Sequence, residues 1–252
     1  MGINVIKFLT FMLMAMMTGT ALADNGDTRE DKRQSLTVKR LPKGIAEAEK
    51  IHTVFDSQGV EWNEIGCQNW RRDYPYKPSA QFRIAHDGQN IYVEYHVKED
   101  AVRAMNGTDQ SAVFQDACCE FFLMMDGEDT YYNIESNCIG AILMQAGKTN
   151  TERTEADNSV LSGIKRWSSL GKKTFDTRVG EQEWRLMLII PTSALFKSDI
   201  KSLDGATATG NFFKYGSRLP KRHFLSWNEV GQTGKPNFHQ TKKFGRIIFA
   251  KH

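Results

Sequence analysis

The stretch Phe82-Arg83-Ile84-Ala85-His86-Asp87-Gly88-Gln89-Asn90-Ile91-Tyr92-Val93-Glu94-Tyr95-His96-Val97 reads in period two on both sides of a glycine-containing turn. In its second half Ile91, Val93, Tyr95 and Val97 fall on one face, and Tyr92, Glu94 and His96 on the other. Successive side chains of a strand point to opposite sides, so this alternation predicts a β-hairpin with one apolar face turned to a core.

The same pattern recurs downstream, where Glu120 to Met125, the turn Asp126-Gly127 and Tyr131 to Glu135 predict a second hairpin. Further strands are expected at Gly140–Gln145, Trp184–Ile190, Asn211–Tyr215, His223–Trp227 and Gly245–Phe249. Pro191 to Phe196 suits one short helix, because proline is accommodated in a first helical turn. No segment sustains a helical period over three turns. Many short strands joined by polar turns predict an all-β protein, and the expected architecture is a jelly-roll-like β-sandwich.

At the N-terminus Lys7 precedes the apolar run Phe8 to Met17, and Ala21-Leu22-Ala23 forms a small-x-small site. This is the layout of a secretory signal peptide over residues 1–23, cleaved before Asp24, and the run is too short to span a bilayer. The expected location is periplasmic or extracellular, with no membrane insertion after cleavage. Residues 24–34 (DNGDTREDKRQ) are polar without apolar period and read as a disordered lead-in. Residues 35–252 are expected to form one domain, since no Pro/Gly/Ser-rich linker divides them.

The net charge of +3 becomes +2 once Lys7 leaves with the signal segment. Such a chain, with its signs interspersed, lacks the electrostatic footprint of a nucleic-acid partner. The pairs Arg71-Arg72 and Lys242-Lys243 read as solvated faces. Four cysteines, Cys67, Cys118, Cys119 and Cys138, leave two readings open in an exported chain: one disulfide, or buried free thiols. No CxxC pair, H-x-H or H-E-x-x-H occurs, so no metal site is expected.

Four blocks carry a resemblance. They are Tyr74-Pro75-Tyr76-Lys77-Pro78 followed by the first hairpin; Val113 to Phe122, with an aromatic six residues before Glu120; Tyr131 to Gly140; and Phe224-Leu225-Ser226-Trp227 leading through Pro236-Asn237-Phe238-His239 to Phe244–Phe249. In this order, over most of residues 60–250, they resemble the family 9 carbohydrate-binding modules, the stand-alone exported members among them. The resemblance implies a two-sheet sandwich, comparable to immunoglobulin-like and DOMON-like architectures, that binds glycans without catalysis. It places Phe114 and Phe238 as two rings gripping a sugar, Glu120 as a hydrogen-bonding acid, and Asn133, Glu135 and Asn137 on a strand of polar contacts. The chain departs from the pattern in having Phe where several members have Trp, and no Arg on that strand. Some members hold structural calcium, the one cofactor the resemblance leaves open; no EF-type Asp/Asn loop is present.

The chemistry of sugars asks for such residues. Flat rings cover the C–H face of a pyranose, while carboxylates and amides fix the hydroxyls around its rim. His239 could donate to a hydroxyl, and Trp227 joins the candidates, with core packing as its competing reading. Phe114 and Phe238 have that competing reading too. Trp70 and Trp167 sit in polar surroundings and read either as surface platforms or as caps on a core edge. Trp62 and Trp184 read as core.

The expected partner is an oligosaccharide or polysaccharide, with a protein of a glycan-uptake system as a second. Two other functions compete. A glycosidase would need two acids across a cleft, Glu120 with Glu135 or Asp116. A haem-binding redox domain would need axial ligands from Met105, Met124, Met125, Met144 or Met187. Five of the ten methionines lie within residues 1–17, so the richness in methionine mostly disappears with the signal segment.

Overall fold

The first hairpin forms with the predicted faces. Its turn is held by Asp87, whose Oδ1 accepts from the backbone N–H groups of Gln89 at 2.8 Å and Asn90 at 2.7 Å. Gly88 sits at φ +94°, which only glycine adopts without strain. The flanking strands run longer than the alternation suggested, over Ser79–His86 and Asn90–Ala104.

In this computed structural model, which describes residues 33–231 and 234–251, the strands in chain order are β1 (Ser35–Arg40), β2 (Asn63–Glu64), β3 (Cys67–Gln68), β4 (Ser79–His86), β5 (Asn90–Ala104), β6 (Cys118–Met125) and β7 (Tyr131–Asn137). They continue with β8 (Ile142–Gly147), β9 (Arg153–Glu155), β10 (Lys165–Ser168), β11 (Phe175–Pro191), β12 (Thr207–Tyr215), β13 (Phe224–Ser226) and β14 (Gly245–Phe249). Two short helices, α1 (Ile51–Gln58) and α2 (Asn158–Gly163), were not anticipated. Neither reaches the three turns that a periodic signal needs. Helix α1 is set instead by Ile51 and Phe55, four residues apart and both buried, and by Gly59 at φ +61° just past its end. The helix expected at Pro191–Phe196 is a single 3₁₀ turn, Thr192–Ala194.

The strands form a two-sheet, all-β sandwich. Sheet A runs β9-β8-β7-β6-β12-β14-β1, and sheet B runs β10-β11-β5-β4-β1. Strand β1 serves both: Ser35 to Val38 pair in parallel with β14, and Lys39 and Arg40 pair in parallel with β4. The inward faces meet in one core. There Phe82 stacks on Phe212 at 3.6 Å, and Phe121 stacks on the same ring at 4.4 Å. Ile91, Val93, Tyr95 and Val97 pack into that core, as the alternation requires. Each such side chain contributes about 1.5–3 kcal/mol on burial.

The outward face of sheet B is covered by α1 and its neighbours, with Tyr92, Met187 and Ile189 against Ile51 and Phe55. The outward face of sheet A carries a separate aromatic layer that includes Phe122, Tyr131, Phe213, Phe224 and Phe238. Among the described residues no helix is long and apolar enough to cross a membrane.

Several expectations are resolved or corrected here. All four cysteines are free; Cys118 and Cys119 face opposite sides of β6 and pack into different clusters. Trp70 is no surface platform: it is 3% exposed and packs beside Phe224 and Phe238, with ring centroids at 6.3 and 5.9 Å. Trp167 is half-buried against the α1 layer, on the other sheet from that aromatic cluster. In both cases apolar area is better withdrawn from water against an existing core edge. Trp184 is core, whereas Trp62 is half-buried, its ring covering Arg83 at 4.2 Å. The signal segment and residues 24–32 of the expected lead-in lie outside the described residues; Gln34 is tied to Asn228 and to the Trp227 carbonyl.

Candidate functional site

The register of sheet A brings a row of side chains onto its outward face. Phe213 on β12 pairs with Glu120 on β6, Glu120 with Glu135 on β7, and Glu135 with Leu143 on β8. One step along, Tyr215 opposes Cys118; one step the other way, Phe122 opposes Asn133 and Asn133 opposes Gln145. The period-two rule that makes these strands therefore also places two carboxyl groups side by side.

Two non-strand segments wall this row. A 3₁₀ turn over Val113–Gln115 carries Phe114, whose ring meets Tyr215 edge-on at 6.4 Å and 88°. On the other side the segment Pro236-Asn237-Phe238-His239 crosses the sheet, with Phe238 stacked on Phe213 at 4.1 Å and 11°. Stacking of this kind contributes about 0.5–1.5 kcal/mol beyond area burial and holds the ring in place. The result is a cleft of about 320 Å³ with Glu120, Glu135, Leu143 and Gln145 on its floor and Phe114, Tyr215 and Phe238 along its sides. That volume lies at the lower end of ligand clefts, about 300–1,000 Å³.

The floor is electrostatically unusual. Glu120 and Glu135 are 3% and 6% exposed. Burial, and then the neighbouring Glu135, push the Glu120 carboxyl well above the usual carboxylate range. Burial raises Glu135 to about 7, against the opposing effects of the Asn133 hydrogen bond and the Arg153 charge. Asn133 donates from Nδ2 to Glu135 Oε1 at 2.9 Å, while Glu135 Oε2 is buried without a hydrogen-bond partner.

Arg153 reaches in from β9, two strands away. Its guanidinium lies 4.1 Å over the Tyr131 ring and donates to Asn133 Oδ1 from Nε at 3.0 Å and Nη2 at 2.5 Å. The Tyr131 hydroxyl and His239 Nδ1 are 2.7 Å apart, and burial lowers His239 to about 4, so it is neutral at neutral pH.

Of the residues singled out from the sequence, Phe114, Glu120, Glu135, Phe238 and His239 converge on this cleft. Asn133 lies beneath it, bridging Arg153 to Glu135. Asn137 does not belong: its amide is consumed by the Asn106 carbonyl, Asp116 Oδ2 and the N–H groups of Ala141 and Ile139, and it shapes the β7–β8 turn. Trp227 does not belong either. With Leu225 it faces the inter-sheet core, edge-on to Phe82 at 6.0 Å and Phe212 at 6.2 Å, because alternation along β13 sends Phe224 outward instead.

Sequence reasoning missed Tyr215, Leu143, Gln145, Asn237 and the supporting Arg153. Tyr215 had a signal, since it shares a face with Phe213 two residues earlier. Arg153 had none, following directly on the polar run Thr149-Asn150-Thr151-Glu152.

A second cavity, of about 290 Å³, opens near Tyr76, Leu219 and Pro220. Its buried polar residue, His223, has both ring nitrogens engaged, at 2.9 Å from the Lys221 carbonyl and 3.0 Å from Lys214 Nζ. The first cleft, with its unpartnered carboxyl oxygen, is the stronger candidate.

The family model for carbohydrate-binding family 9 matches residues 49–249. A crystal structure from Bacteroides uniformis ATCC 8492, of a protein proposed to bind carbohydrate, is 44% identical, covers 86% of this chain and 99% of its own, and superposes with a TM-score of 0.83. A family 9 module from Caldicellulosiruptor kristjanssonii in complex with cellotriose is 15% identical, with 87% and 95% of the two chains covered and a TM-score of 0.56. The same organism's module in complex with glucose is 16% identical, covers 87% and 97%, and has a TM-score of 0.54. These two likenesses are of fold. No curated protein matches the chain.

Proposed function

The chain belongs to carbohydrate-binding family 9, and on that premise we propose that it holds one unit of an oligosaccharide or polysaccharide in the cleft over sheet A, as a binding protein and not as an enzyme. The observation that carries this reading is the convergence of Phe114, Tyr215 and Phe238 around Glu120 and Glu135 in one cleft. The rings cover the sugar's C–H surface, and the carboxyl groups and Gln145 take its hydroxyls. Glu120 and Glu135 project from neighbouring strands onto one floor. Export belongs to the same proposal and rests on the signal-like residues 1–23.

The test is calorimetric titration of the protein from Asp24 to His252 against soluble plant, algal and host glycans and their oligosaccharides. Saturable binding is expected, falling at least about tenfold in Phe114→Ala and in Phe238→Ala, as loss of an aromatic anchor does. Binding that survives both changes in folded protein would move the site elsewhere. Absence of binding to every glycan would end the reading.

A further inference from the structure

The floor of the cleft sets two buried carboxyl groups side by side, and among the described residues no cation forms an ion pair with either. Glu120 and Glu135 are cross-strand neighbours, both nine-tenths or more buried. Glu135 Oε2 has no hydrogen-bond partner, and among the described residues nothing hydrogen bonds to the Glu120 carboxyl.

Each nearby cation is engaged elsewhere. Besides Asn133, the Arg153 guanidinium donates to the carbonyls of Tyr131 at 3.1 Å, Gln145 at 3.2 Å and Thr149 at 2.9 Å. Lys214 lies on the opposite face of β12 and pairs with Glu99 at 3.0 Å in the core. His239 is bound to the Tyr131 hydroxyl and is neutral.

Two carboxyl groups buried side by side with no cation in contact are costly to ionise unless something else supplies the counter-charge. An ammonium group carries three donors, no acceptor and one positive charge. Set between the two carboxyl groups, it would satisfy the free oxygen of Glu135 and neutralise the pair in one contact, as charge-assisted hydrogen bonds. The flanking rings still require the flat C–H face of a sugar beside that group.

From this arrangement, and resting on the sugar-binding reading above, we propose that the cleft selects a 2-amino-2-deoxy sugar with a free amine, as in a deacetylated amino-glycan, over a neutral sugar of the same shape. Because burial favours the protonated form of both carboxyl groups, a sugar amine that arrives already charged expels a carboxyl proton to solvent. Binding of the neutral sugar does not.

The experiment titrates the wild-type protein at about pH 5.5, where the sugar amine is charged and the Glu135 carboxyl is still protonated, with three tetrasaccharides of one backbone: glucosamine, N-acetylglucosamine and glucose units in β-1,4 linkage. The free-amine ligand is expected to bind at least about tenfold more tightly than the other two. It is also expected to release a proton, read as a heat that changes with the buffer's ionisation enthalpy. Glu135→Gln keeps the side-chain shape and is expected to remove both the preference and the proton release.

Neutral or acetylated ligands binding as well as the amine, or better, would overturn the amine preference while leaving sugar binding intact. No binding of these three with saturable binding of other glycans would do the same. A lysine-rich peptide binding as tightly as the amino-sugar would overturn it too, by reducing the effect to charge alone. Because the wild-type comparison needs no variant, instability of Glu135→Gln would not rescue the idea.

Discussion

Glu94 and Glu135 are both buried acids on the outward faces of the two sheets, 0% and 6% exposed, and they differ in what surrounds them. Glu94 is closed in by cations. Arg83 donates to its Oε2 from Nε at 2.9 Å and Nη2 at 2.5 Å, Arg185 donates to its Oε1 at 2.9 Å, and His52 Nδ1 lies 2.9 Å from the same oxygen. Helix α1 and the Trp62 ring cover the group, so every lone pair is spoken for. Glu135 has one amide and one empty oxygen. Two acids on comparable strands thus serve different ends: one is matched inside the protein and holds a helix to a sheet, the other is left for something from outside. Neither burial nor residue type separates them. The count of partners does.

The comparison breaks first at Arg83. Arg83→Ala would strand Glu94 without its bidentate partner, and chemical denaturation is expected to show a loss of about 3–5 kcal/mol. Sugar affinity of the molecules that stay folded should not change, because the cleft lies on the other sheet. A loss below about 1 kcal/mol would mean that the network is ornamental.

The next effect is the pH dependence of stability, and its sign follows from Glu135. Its folded value, about 7, lies above the ordinary glutamate value of 4.5, so the folded state binds the proton more tightly than the unfolded one. Below the unfolded value both states are protonated and the group contributes nothing. As pH rises from about 4.5 to about 7 the unfolded chain ionises first, and the fold loses up to about 3 kcal/mol, levelling off above that range. Glu120, raised by the same burial, pushes in the same direction.

Other charges face the pair. Arg153 and the buried Lys214 soften the effect; His239 is already neutral across this range, and Tyr131, Tyr215 and Cys118 titrate above it. Thermal melts across pH should therefore show wild type weakening toward neutrality and Glu135→Gln staying flatter. Parallel curves for the two proteins would contradict this account of the floor.

The smallest effect sharpens the same contrast from its rim. Lys98 on β5 and Glu183 on β11 are cross-strand partners 3.2 Å apart, 49% and 51% exposed. Water screens such a pair, so Lys98→Ala should change stability by no more than about 0.5 kcal/mol in the same denaturation assay. A cost near that of Arg83→Ala would show that the rim and the buried centre act as one network.

Much of this was legible in the chain. Alternation marks the hairpins because strand pleating copies itself directly into sequence, and Asp87-Gly88 and Asp126-Gly127 mark their turns. Five residues of the cleft, Phe114, Glu120, Glu135, Phe238 and His239, were also in reach through the order of the four blocks. The three Trp readings show where such reasoning stops. Trp70 sits in a polar run yet packs behind Phe238, Trp167 caps the α1 layer, and Trp227 turns into the core with Leu225. Neighbours in sequence say how polar a segment is, not which distant face it folds against.

By itself, then, the sequence determined nine of the fourteen strands, the two hairpin turns and which side chains of those strands share a face, because these follow from a local, two-residue period; it left β1, β2, β3, β9 and β10 unmarked. Only the tertiary structure decided that β9 lends Arg153 to Asn133, that the Pro236–His239 segment crosses sheet A over Phe213, and that Glu135 is left with an oxygen unpaired where Glu94 is not. Those are matters of register and of long-range partners. A partner brought from 20 residues or 108 residues away leaves no periodic trace in the chain that meets it.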